Sequence, residues 1–83
     1  MYKIVPGIPD SPQIRKDSDG FRHLMGTYKY LVDKLNKDIA DGDEFMKDLH
    51  GKWLEGYEIA LMQIGYPMEH INEEENNHAI KKA

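Results

Sequence analysis

The tripeptide Asp41-Gly42-Asp43 separates two long runs of apolar residues at helical spacing, and this junction constrains the fold more than any other feature. Upstream, Phe21, Leu24, Met25, Tyr28, Leu31, Val32, Leu35 and Ile39 fall within about 120° of arc at 100° per residue. Downstream, Met46, Leu49, Trp53, Leu54, Tyr57, Ala60, Leu61 and Ile64 cover about 140°, with Phe45 at the margin. Glycine takes the left-handed conformation past a helix end, and aspartate caps the free amides of the next helix. So short a bend makes the helices antiparallel neighbours. The spacing predicts an all-α protein built on a helical hairpin, about residues 20–40 and 44–64, the second helix stopping at Gly65.

Both flanks of the hairpin read differently. Pro6, Pro9 and Pro12 each fix their own φ and bias the residue before them away from helix, so residues 1–18 form an extended, proline-containing arm. Tyr2, Ile4, Val5 and Ile8 give that arm enough apolar surface to lie across a helix. Residues 67–83 are expected to form a weaker C-terminal helix with Pro67 in its first turn, since Met68, Ile71, Ala79 and Ile80 are its only apolar residues.

At 83 residues the chain is one domain whose core is small for its surface, and a second subunit is a natural reinforcement. The 140° stripe is wider than one neighbouring helix covers, which again points to a homodimer or higher homo-oligomer. Gly56, between Leu49, Trp53 and Ala60, is expected on the buried face, where it permits a close approach. A net charge of −4 repels phosphate backbones and disfavours nucleic acid. No apolar run approaches the roughly 20 residues of a membrane span, and the expected compartment is the cytoplasm.

Chemistry is sparse. There is no cysteine, and the two serines, Ser11 and Ser18, lie in the arm or at its end, so no nucleophile–base arrangement is evident. The chain reads as non-enzymatic, with no cofactor. His70, Glu74 and His78 stand four residues apart and would share one face of a C-terminal helix, but three ligands on a weak helix fall short of a zinc site, and no metal is expected. His23 and His50 read as ordinary surface or boundary histidines.

The outer face of the first helix carries Tyr30 about 180° from the apolar stripe, among Arg22, Lys29, Lys34 and Lys37. Tyrosine and arginine are favoured contact residues, so these five are the expected partner-binding site of a small regulatory or inhibitory protein that docks on a larger protein through helix faces. The plainer alternative is a tyrosine leaning on lysine methylenes. No motif carries a family's pattern residue by residue, which fits the small, fast-diverging regulators that phages, among others, encode. A second reading is an oligomer that sequesters an anionic nucleotide, with Tyr2, Tyr28 or Trp53 stacking on the base and Lys3, Arg22 or Lys52 meeting phosphate.

Overall fold

The structure, a computed structural model, describes residues 1–9 and 11–73. Its elements in chain order are β1 (Tyr2–Pro6), α1 (Asp19–Asp41), α2 (Glu44–Gln63) and β2 (Met68–Asn72).

The hairpin forms where the caps place it. The Ser18 hydroxyl accepts the Phe21 N–H at 3.1 Å and opens α1. Gly42 closes it at φ 72°, with its backbone N–H directed to the Asp38 and Ile39 carbonyls. The Asp43 carboxylate then accepts the Met46 N–H at 3.1 Å and opens α2. Gly65 ends the second helix at φ 90°, and a Cβ there would stand 2.6 Å from Pro12 Cα. Glycine is therefore required twice over, by backbone conformation and by space.

The fold is not all-α, because the two flanks of the hairpin pair with each other. β1 and β2 form an antiparallel ribbon in which Tyr2 lies opposite Asn72 and Pro6 opposite Met68. The weak helix expected from residue 67 is thus a strand over Met68–Asn72, and the remainder of that expected helix, 74–83, lies outside the described residues. Lys3-Ile4-Val5 supplies a β-prone partner, and a second row of hydrogen bonds outweighs the slight helical preference of Met-Glu-His-Ile-Asn. The ribbon lies across one face of the hairpin, β1 against α1 and β2 against α2, in a two-layer arrangement.

Between the layers sit Tyr28, Val32 and Leu35 of α1, Leu54 and Leu61 of α2, and Tyr66. Tyr2, Ile4 and Met68 of the ribbon and Ile14 of the arm close over them. The arm is pinned beyond β1: Gln13 N–H donates to the Ile64 carbonyl at 3.1 Å, and the Tyr66 hydroxyl donates to the Ile14 carbonyl.

α1 buries the middle of its expected stripe. α2 does not: its buried residues are His50, Leu54 and Leu61, whereas Trp53, Gly56 and Ala60, all expected inside, are exposed. No described atom stands within 4 Å of a Cβ built on Gly56, so nothing within the chain makes the close approach expected there. The helix is rotated about its axis toward the ribbon. Polar contacts accompany the rotation: Glu58, which lies just off the apolar stripe, meets Tyr28 and His70, and His50, which lies within it, pairs with Asp38.

Candidate functional site

Polar side chains hold the layers together. The Tyr28 hydroxyl donates to Glu58 Oε2 at 2.5 Å, and His70 Nδ1 meets the same oxygen at 2.8 Å, so one carboxylate joins α1, α2 and β2. Tyr28 has no exposed surface. Burial, reinforced by the Glu58 hydrogen bond and by the charges of Glu58 and Glu69, pushes its phenol far above the ordinary tyrosine range. The Tyr57 phenol is raised as well, by burial, although Thr27 opposes the shift. Its hydroxyl donates to the Leu24 carbonyl at 2.7 Å, and its ring stacks on Tyr28 at 5.9 Å between centroids. His50 pairs with Asp38 across the bend, under the edge of Trp53. These groups are buried or half-buried and mutually bonded, and no described buried side-chain polar atom lacks a partner. The network joins helices and ribbon, and its Glu58 and His70 border grooves of about 590 Å³ and 320 Å³ respectively.

The residues expected to bind a partner are placed as follows. Tyr30 is 57% exposed on α1, and Lys34 Nζ lies over its ring at 5.3 Å, so the ring rests on a lysine. Arg22 pairs with Asp19 at 2.5 Å, while Lys29 and Lys37 are exposed. Of the residues expected to hold a nucleotide, Tyr28 is sealed in the core and cannot stack on a ligand. Tyr2 and Lys52 do meet, with Lys47 and His70, in a groove of about 320 Å³ between ribbon and α2. Lys3 is exposed on β1, and Arg22 and Trp53 do not line that groove. For metal, His70 faces Glu58 from a strand, Glu74 and His78 lie outside the described residues, and no group of three or more potential ligands occurs among the described residues.

Two features escape sequence reasoning. The first is α2's outward flank, where Phe45 is 76% and Trp53 51% exposed. Both lie about 140° around the helix from Glu58, which marks the side facing the ribbon. The second is a groove of about 590 Å³ beside β2, in which Ile59 and Met62 of α2 meet Met68, with Glu55 and Glu69 at its margin. The i,i+3 pair Ile59 and Met62 on an otherwise charged face is the sequence signal for it. No helix among the described residues is long and apolar enough to cross a membrane. Compared with protein-family models, with curated proteins and with solved structures, the chain matches none.

Proposed function

We propose that this protein is a small non-enzymatic docking module that regulates a larger protein by binding it through the hairpin face turned away from the ribbon. One observation carries the reading: two large aromatics of α2, Phe45 and Trp53, stand more than half exposed on the uncovered side of a domain with little apolar surface to spare. α1 adds Tyr30 beside Lys34, with Lys29 and Lys37 further round. Aromatic anchors bordered by lysines suit an apolar depression rimmed with carboxylates on the partner.

The test compares wild-type protein with two double variants, Phe45→Ala/Trp53→Ala and Tyr30→Ala/Lys34→Glu, as baits under native conditions, each first checked for native helix content. A docking module recovers a stoichiometric partner that both variants lose by tenfold or more. Retention of the partner by both folded variants removes this face from the function. Sedimentation of the bait alone covers the remaining case: if the aromatic pair is what holds two copies together, the face serves self-assembly and the docking reading falls.

A further inference from the structure

The ribbon's two outer edges are treated differently. Gly7 N–H donates to the Pro67 carbonyl at 2.6 Å and Glu73 N–H to the Met1 carbonyl at 3.0 Å, which fixes the odd-numbered residues as the hydrogen-bonded pairs. The peptide groups of Tyr2, Ile4 and Pro6 therefore turn outward on β1, and those of Met68, His70 and Asn72 outward on β2. β1's edge is closed in part, since the Ile4 peptide, like those of Met68 and His70, forms no hydrogen bond among the described residues. The Tyr2 N–H donates to Asn36 Oδ1 at 2.7 Å, Asn36 Nδ2 donates to the Tyr2 carbonyl at 3.1 Å, and Pro6 has no N–H to offer. On β2, the outward peptide groups of Met68 and His70 form no hydrogen bond among the described residues.

The groove of about 590 Å³ opens at the Met68 end of this edge, where Gly7 and Pro67 also border it. It touches Met68, whose side chain faces the core, and Glu69, whose side chain faces the opposite way, so it meets the strand at its rim over these two residues. Its other wall is α2, with Ile59 53% and Met62 58% exposed. Glu55, Glu58 and Glu69 line it and no lysine or arginine does. Neither Glu55 nor Glu69 forms an ion pair among the described residues.

We infer that β2 and the adjoining flank of α2 form a strand-addition site for an extended basic segment of a partner protein, independent of the aromatic hairpin face. The incoming strand would bond to the Met68 and His70 peptides, lay alternate apolar side chains on Ile59, Met62 and Met68, and direct lysine or arginine to Glu55 and Glu69. Charge selects the occupant. A second copy pairing through β2 would bring Glu69 and Glu55 toward their own kind, and like charges across a strand pair are destabilising.

The probe is an acetylated, amidated heptapeptide alternating lysine and valine, followed by amide NMR and calorimetry on the full chain. Binding should shift the Met68 and His70 amides and slow their hydrogen exchange. It should weaken about tenfold or more in Glu55→Gln/Glu69→Gln, two rim changes that leave Glu58 and the fold in place, and vanish for a peptide N-methylated at alternate amides. Three results overturn the proposal: no perturbation of those two amides, equal binding of the methylated peptide (charge attraction alone), or concentration-dependent protection of both amides without peptide, which would assign the edge to a second copy.

Discussion

Tyr28 concentrates the energetics of the fold in one side chain. Its phenol stays protonated in the folded state to a pH well above that of an unfolded tyrosine, because ionisation would place a second negative charge beside Glu58 without solvent. Folded and unfolded states bind the same proton below about pH 10, so this group's stabilising contribution is fully present there. As pH rises beyond that point the unfolded chain loses its proton first, and stability should fall by about 1.4 kcal/mol per pH unit for this group until the folded-state value is reached. Denaturant titrations from pH 8 to 11 should show this limb in the wild type and a shallower one in Tyr28→Phe. The variant is expected to be less stable by about 1–3 kcal/mol at neutral pH, since Glu58 loses a donor in a half-buried site. An alkaline limb unchanged by the substitution would assign it elsewhere.

Two glycines give opposite signs at the same scale. Gly65→Ala forces a Cβ onto Pro12 at a positive φ, and a loss of more than about 1 kcal/mol is expected in thermal melts. Gly56→Ala meets nothing within 4 Å in a helix interior, so a gain of about 0.5–1 kcal/mol is expected.

Among the elements, the hairpin was legible because its determinants are local: Ser18, Gly42, Asp43 and Gly65 each act on residues within a turn of themselves. The ribbon was not, because its partners are separated by more than sixty residues and no turn chemistry joins them. The rotation of α2 escaped for a related reason. Periodicity ranks Trp53 above Glu58 for burial, yet Glu58 satisfies a buried phenol and a half-buried imidazole at once, and that bonding is invisible without the fold. The candidate surfaces divide in the same way: Tyr30 among cations was readable from one helix, whereas the β2 groove exists only once strand and helix meet. Asn36 tests the edge asymmetry directly. Asn36→Ala removes both bonds to Tyr2, so that amide should lose hydrogen-exchange protection while the amides of α1 keep theirs, at a cost of about 1–2 kcal/mol. Unchanged protection at Tyr2 would mean that something other than Asn36 closes β1.

At the scale of the whole molecule, neither layer is self-sufficient. A two-stranded ribbon is marginal in water, and a hairpin of two helices leaves Tyr28, Val32 and Leu35 covered from one side only. Each layer therefore depends on the other, and Tyr2, Ile4 and Met68 are the residues through which that dependence acts. Removing residues 1–8 deletes β1, strips β2 of its only described partner strand and uncovers α1 along the line that Tyr2 and Ile4 occupy. The helices have intact caps, so helical signal should persist, but the core loses its lid. The expected product keeps much of its far-UV dichroism, binds a hydrophobic dye and melts without a cooperative transition. A truncated chain that still unfolds cooperatively at the wild-type midpoint would show that the hairpin folds alone, and that the ribbon is an appendage instead of half of the core.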